Sequence, residues 1–299
     1  GKRKPPPDPY PYQITAIEEV IAGFTISDRG QLIMACGTGK TYTTLWIKEK
    51  LCATRTLVLV PSLGLLSQIL GDWTFAASSP FDVLCVCSDE TVGKKDVDEM
   101  YHSISDVPFP VTSDTNEIKE FLSGSGNQVI FCTYQSSPLI AAVQADTATP
   151  PFDLIVADEA HRCAGIVDSQ FATVLDDTLI RGKKRLFTTA TPRIYLPSVK
   201  KRAEERGVEI ACMDDAAIFG EPFHTLTFGE AISQNLLTDY QVVIVGVDDP
   251  MIAEWIENRA FVRTDSDIQT DAQSLAAQIG LVKAVKDYDL RRIISFHSH

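Results

Sequence analysis

Apolar residues gather in six short runs along this chain, at 31–35, 56–60, 82–87, 128–132, 152–157 and 185–189. The runs are apolar at nearly every position instead of alternating, which predicts strands covered on both faces. Several intervals between them carry apolar residues at helical spacing. Strand and helix in alternation predict an α/β fold, with a mainly parallel sheet covered by helices on both faces. Residues 88–127 are less regular. Thr112 to Leu122 reads as a capped helix, and Ser123-Gly124-Ser125-Gly126 as a flexible turn. Beyond Pro192 the pattern changes. Phe219-Gly220-Glu221-Pro222 reads as a turn and Gln241 to Val247 as a strand. Leu275, Ile279 and Val282 recur at helical spacing, so Ile268 to Tyr288 is expected to be an amphipathic helix, and Arg291 to Phe296 reads as a further strand.

Composition narrows the class. The 299 residues suffice for one large α/β domain and part of another. Lys2-Arg3-Lys4-Pro5-Pro6-Pro7 reads as a linker, so residues 1–8 are set apart from the fold. No secretory leader is expected, and no apolar run approaches the ~20 residues needed to cross a bilayer. A soluble, cytoplasmic protein with no membrane partner is the expectation. The seven cysteines (36, 52, 85, 87, 132, 163 and 212) show no paired metal spacing and read as buried free thiols. Cys85 and Cys87 would share one strand face. The formal charge of −13 argues against strong nonspecific nucleic-acid binding. Any basic contact must be local. Arg181-Gly182-Lys183-Lys184-Arg185 and Lys200-Lys201-Arg202 are the candidate clusters, with a solvated face as the plainer explanation of each.

Candidate chemistry lies at three strand ends. The first run leads into Ala35-Cys36-Gly37-Thr38-Gly39-Lys40-Thr41 and then a helix-like stretch. Gly37 and Gly39 let the backbone turn its N–H groups around an anion, and the helix adds its positive end. Lys40 is placed to reach the β- and γ-phosphates of a nucleotide, and the Thr41 hydroxyl to ligate Mg²⁺. The strict phosphate-loop pattern has glycine where this chain has Met34. The run at 152–157 ends in Asp158-Glu159-Ala160-His161. Asp158 can hold Mg²⁺, directly or through water, and Glu159 can orient and deprotonate a water. A solvated acidic pair is the alternative, weakened by its place at a strand's carboxyl end. The third segment, Arg185 to Pro192, ends in hydroxyls and a chain-breaking proline.

Together these segments resemble the superfamily 2 helicases and translocases with a DEAH-type box. Ala35 to Thr41 looks like motif I, Asp158 to His161 like motif II and Thr189-Ala190-Thr191 like motif III. Pro11-Tyr12-Gln13 looks like the upstream glutamine motif, in which Gln13 would read adenine; Tyr10 stands where many relatives have arginine. Val60-Pro61-Ser62 through Gln68 is similar to motif Ia and Thr133-Tyr134-Gln135-Ser136 to motif Ib. The wording of these motifs is closest to the motor subunits of restriction–modification enzymes of types I, III and ISP.

The resemblance implies a RecA-like ATP-binding domain over 9–226, a bridge over 227–240 and the start of a second RecA-like domain over 241–299. It implies ATP and Mg²⁺ at Gly37, Thr38, Gly39, Lys40, Thr41 and Asp158, with Glu159 as the base. Ser62, Thr133 and Gln135 would contact double-stranded DNA, and His161, Thr189 and Thr191 would couple nucleotide to DNA. Nuclease and methyltransferase or specificity parts would complete the system. Motifs V and VI, with an arginine finger worth ~10³–10⁵ in rate, would lie downstream, so this chain alone is expected to turn over poorly. An RNA helicase and a nucleotide-gated binding module are the rival readings. Terminal His297-Ser298-His299 is not expected to bind metal.

Overall fold

The computed structural model describes residues 5–87, 111–166, 170–239, 261–263 and 269–288. The strands expected at 241–247 and 291–296, and the terminal histidines, lie outside them. The chain divides into two compact units, Gly1–Thr238 and Asp239–His299.

The first unit begins with helix α1 (Pro11–Gly23), strand β1 (Arg29–Met34), α2 (Lys40–Lys50), β2 (Arg55–Val60) and α3 (Leu63–Ala76). Then follow β3 (Asp82–Val86), β4 (Val111–Thr112), α4 (Thr115–Ser123), β5 (Gln128–Thr133), α5 (Ser137–Gln144) and β6 (Leu154–Asp158). The remainder is β7 (Gly165–Ile166), β8 (Arg185–Thr189), α6 (Pro197–Glu204), β9 (Ile210–Ala211), α7 (Ala216–Phe219), β10 (Glu221–Leu226) and α8 (Phe228–Ser233).

Eight strands form one sheet in the order β10-β1-β8-β6-β2-β5-β3-β4. Every pairing in it is parallel. The α/β expectation therefore holds, and all six expected strands are present with ends shifted by at most two residues. Side chains alternate between two cores. Val58, Val60, Phe131 and Val156 meet Ala16, Leu45 and Trp73 on one face. Leu57, Leu59, Ile130 and Ile155 meet Ile118, Ile140 and Phe187 on the other. Both faces are buried, which is why the strands read as continuous apolar runs.

Two boundaries differ from the sequence expectation. The helix expected from Thr112 starts at Thr115, because the Asp114 carboxylate accepts the Asn116 N–H at 2.8 Å and caps it there; Val111–Thr112 pairs with β3 instead. The turn expected at Phe219–Pro222 gives way at Glu221 to β10, which joins β1 on the sheet's edge. Proline is tolerated on an edge strand because one side of it needs no ladder N–H.

After β10, Thr227 caps α8 through a reciprocal bond pair with Glu230. Ala231 is fully buried, and Leu236 and Leu237 pack on the same core, so residues 227–238 build part of the first unit. In the second unit, Phe261–Arg263 pairs antiparallel with Gln269–Asp271, and a helix spans Ala272–Asp287, inside the expected range. No described helix is long and apolar enough to cross a membrane.

Candidate nucleotide site

Parallel strands point their carboxyl ends the same way, so β1, β2, β5, β6 and β8 deliver their last residues to one rim of the sheet. Register completes the convergence. Asp158 stands opposite Thr188, Thr189 opposite Ile33, and Val60 opposite Thr133.

The loop after β1 is built on two left-handed glycines, Gly37 at φ 85° and Gly39 at φ 80°. Gly39 also has a steric reason: a Cβ there would fall 2.3 Å from the Gln13 amide nitrogen. Thr38 is buried, and its hydroxyl donates to the Ala35 carbonyl at 2.7 Å. The Thr38 carbonyl accepts from the Tyr12 hydroxyl at 3.0 Å and from Gln13 Nε2 at 3.1 Å. From the other side, Trp73 Nε1 donates to the Thr41 carbonyl at 3.0 Å, fixing the first turn of α2 to α3.

Lys40 opens α2 with its side chain only 11% exposed, its ammonium 3.1 Å from Glu159 Oε1 and 3.9 Å from Asp158 Oδ1. The Thr188 hydroxyl donates to Asp158 Oδ1 at 2.6 Å. His161 Nδ1 lies 3.3 Å from Glu159 Oε2 and 3.0 Å from Thr189 Oγ1. The Thr191 N–H donates in turn to Thr189 Oγ1 at 3.2 Å. A continuous polar path thus runs Lys40–Glu159–His161–Thr189–Thr191.

The adjacent carboxyls are pushed in opposite directions. Burial raises Asp158, against the pull of the Lys40 charge and the Thr188 hydrogen bond. The His161 hydrogen bond, helped by Lys40 and opposed by burial, holds Glu159 down at about 2. Two carboxyls with separated environments can take separate roles. Glu159 itself sits at φ 50°, ψ 46°, a left-handed conformation that costs a non-glycine residue about 1–2 kcal/mol.

The remaining predicted contact residues differ in what the structure gives them. Ser62 caps α3, accepting the Leu65 N–H at 3.3 Å, and is half-buried. Gln135 donates to the Pro61 carbonyl at 3.4 Å, while its buried Oε1 has no partner among the described residues. Thr133 is fully buried and its hydroxyl goes to Ser136 at 3.1 Å, so the structure does not bring it to the surface. The cysteines are also mixed: five are buried, but Cys36, inside the loop, and Cys52 are exposed. Trp73 was not marked by the sequence, and Tyr12, Tyr134 and Thr188 lay inside marked segments without a role of their own. Their roles depend on which strands and helices are neighbours, and only the register of Asp158 with Thr188 exposes the last of them.

Residues 7–194 match the family model described as the type III restriction enzyme, res subunit. The chain belongs to this family. It is 30% identical over 237 residues to the African swine fever virus protein named "Probable helicase A859L", covering 78% of this chain and 23% of that one. It is 26% identical over 238 residues to the type I restriction enzyme EcoAI endonuclease subunit of Escherichia coli, covering 79% and 24%. Among solved structures it is similar to the ATP-dependent type ISP restriction-modification enzyme LlaBIII bound to DNA, with TM-score 0.65, 37% identity and coverage of 80% of this chain and 16% of that one. It is also similar to a nuclease-deletion mutant of the type ISP enzyme LlaGI with a DNA substrate mimic, with TM-score 0.60, 32% identity and coverage of 85% and 22%. The chain therefore spans less than a quarter of the length of these relatives. Its large unit is a RecA-like superfamily 2 helicase-type motor domain related to those of restriction enzymes.

Proposed function

We propose that this chain is an ATP-dependent double-stranded DNA translocase motor that works inside a longer, cytoplasmic, bacterial restriction–modification polypeptide. The observation that carries this reading is the placement of Lys40 against Asp158 and Glu159, with His161 and Thr189 continuing from Glu159 along the rim.

The residues fit ATP and Mg²⁺. Glycine is required at two loop positions, one of which would otherwise strike Gln13. The loop then leads into a helix N-terminus suited to phosphate. Thr41 and Asp158 offer oxygen donors only, which suits a hard cation that takes its other ligands from phosphate and water. When bound, Mg²⁺ would neutralise phosphate charge. The chain's own work is to hold the phosphates with the loop and Lys40, and to accept a proton from water at the Glu159 carboxylate. Glu159 is ionised near neutral pH, but the His161 and Lys40 contacts that hold it at about 2 also weaken it as a base, so its part in this step is first to orient the water.

DNA as the track is supported by the DNA-bound type ISP relatives. Ser62 and Gln135 are the candidate contacts, and His161, Thr189 and Thr191 the candidate coupling path. Residues downstream of Asp239 would begin a second motor domain, the expected source of an arginine finger. Nuclease and methyltransferase or specificity parts would belong to the longer polypeptide.

The test is Mg·ATP binding and turnover by the full-length polypeptide with duplex DNA, RNA or no nucleic acid. Lys40→Ala should weaken ATP binding at least tenfold. Glu159→Gln should keep ATP binding and lower turnover ~10²-fold or more. Stimulation by RNA alone would replace DNA as the track, and ATP affinity unmoved by Lys40→Ala would end the phosphate-loop assignment.

A further inference from the structure

Tyr134 is the first residue after β5, in the short turn Tyr134–Ser136 at the same rim as the nucleotide site. Its side chain is fully buried, and its hydroxyl donates to the Asp158 carbonyl at 2.7 Å across 24 residues of sequence. The ring packs on Phe171 with centroids 5.6 Å apart.

The captured carbonyl belongs to the peptide that leads into Glu159. A trans peptide is planar, with C=O and N–H on opposite sides, so holding one group orients the other. The next residue is Glu159 in its left-handed conformation, with its carboxylate 3.1 Å from Lys40 and 3.3 Å from His161. A change in φ at Glu159 that is not cancelled at ψ of Asp158 would swing its side chain off both partners.

The turn holding Tyr134 is tied elsewhere as well. Thr133 bonds Ser136, and Gln135 reaches the Pro61 carbonyl at the end of β2, beside Ser62. A rigid three-residue turn therefore touches the predicted nucleic-acid corner on one side and the Asp158–Glu159 peptide on the other.

We infer that Tyr134 is a positioning residue: its hydroxyl sets the Asp158–Glu159 peptide and links the Ser62–Gln135 corner to the base. The functional half of this inference rests on the motor reading above. The Tyr134 hydroxyl is buried against the Asp158 carbonyl, so its effect is exerted through the Asp158–Glu159 peptide.

Tyr134→Phe removes one oxygen and keeps the ring. Amide hydrogen exchange in the intact chain should then speed up about tenfold or more at residues 159–163, while 129–132 and 155–157 keep their protection. Phe171→Leu is the packing control. It loosens the same ring without touching the hydroxyl, and should lower thermal stability without that local rise. In a wild type that hydrolyses ATP, Tyr134→Phe should lower kcat about tenfold with KM for ATP within about twofold, and Phe171→Leu should leave kcat intact. Unchanged exchange at 159–163 overturns the inference. So does unchanged kcat, or an equal kcat loss in Phe171→Leu. If the wild type neither binds nor hydrolyses ATP, the motor reading fails by itself, and exchange still decides whether Tyr134 sets the peptide.

Discussion

Gln13 has both ends of its amide engaged by the chain itself. Oε1 accepts the Tyr10 N–H at 2.9 Å, and Nε2 donates to the Thr38 carbonyl at 3.1 Å and toward that of Gly39 at 3.5 Å. The side chain is only 2% exposed. The motif that marks Gln13 in the sequence implies a reader of adenine, whereas these bonds make it a brace for the phosphate loop. Gln13→Ala should therefore weaken ATP and GTP by the same factor, roughly tenfold for the loss of one or two buried hydrogen bonds. Parallel titrations with the two nucleotides decide the matter, and a loss confined to ATP would restore the base-reading role. Lys40, Asp158, Glu159 and Thr189 were legible because each lies at the end of an apolar run or in the loop that follows one, and strand ends are where such sheets do chemistry. Tyr134 and Trp73 were not, because their donors act on carbonyls far along the chain and a carbonyl carries no sequence signal.

Among the elements, strands buried on both faces announced themselves, and edge strands did not. β10 carries Glu221, Pro222 and Thr225 exposed to solvent, so it lacks the apolar run that marks β2 or β5. What aligns the starts of the central strands was equally hidden. Asp153 Oδ2 accepts from the Thr54 N–H at 3.0 Å, the Thr54 hydroxyl at 2.7 Å and the Arg55 N–H at 2.9 Å, while Oδ1 takes Lys183 at 2.8 Å. One carboxylate thus clamps the starts of β2, β6 and β8. Burial pushes its pKa up, but the Lys183, Arg55 and Thr54 donors outweigh burial and hold it at about 2, down from 3.8. A carboxyl depressed in the folded state stabilises the fold above its unfolded pKa. That contribution is lost as pH falls from 3.8 through about 2. The shift corresponds to about 2 kcal/mol at most, and partial exposure brings it nearer 1. Asp153→Asn should therefore unfold at lower urea than the wild type at pH 7, with the gap closing as pH approaches 2. A gap that persists unchanged at acid pH would assign the effect to something other than the charge.

At the scale of the whole molecule, a net charge of −13 makes the location of each basic residue decisive for a nucleic-acid motor. The richer of the two basic clusters is spent inside the fold. Arg181 Nη2 donates to the carbonyls of Gln144, Asp146 and Thr149 at 3.0, 3.0 and 2.7 Å. Lys183 pairs with Asp153, Lys184 donates to the Phe24 carbonyl at 2.7 Å, and buried Arg185 pairs with Asp177 at 2.8 Å. These residues also lie at the amino end of β8, away from the rim that carries Lys40 and Asp158. The second cluster follows the rim end of β8, on α6. Lys200 is paired with Asp214, but Lys201 and Arg202 are exposed. The two clusters should therefore separate cleanly. Arg181→Ala, losing three bonds to carbonyls, should cost about 2 kcal/mol and lower Tm by roughly 4–8 °C, with duplex binding unchanged in the protein that remains folded. Lys201→Ala with Arg202→Ala should leave Tm in place, weaken duplex binding and flatten its salt dependence, by up to about 0.9 in log–log slope for each phosphate no longer neutralised. Fluorescence anisotropy with labelled duplex at several salt concentrations, beside thermal melts, reads both effects. A double variant that binds with the wild-type slope would move the track off α6, leaving the Ser62 and Gln135 corner to hold the DNA through hydroxyl and amide groups with little help from charge.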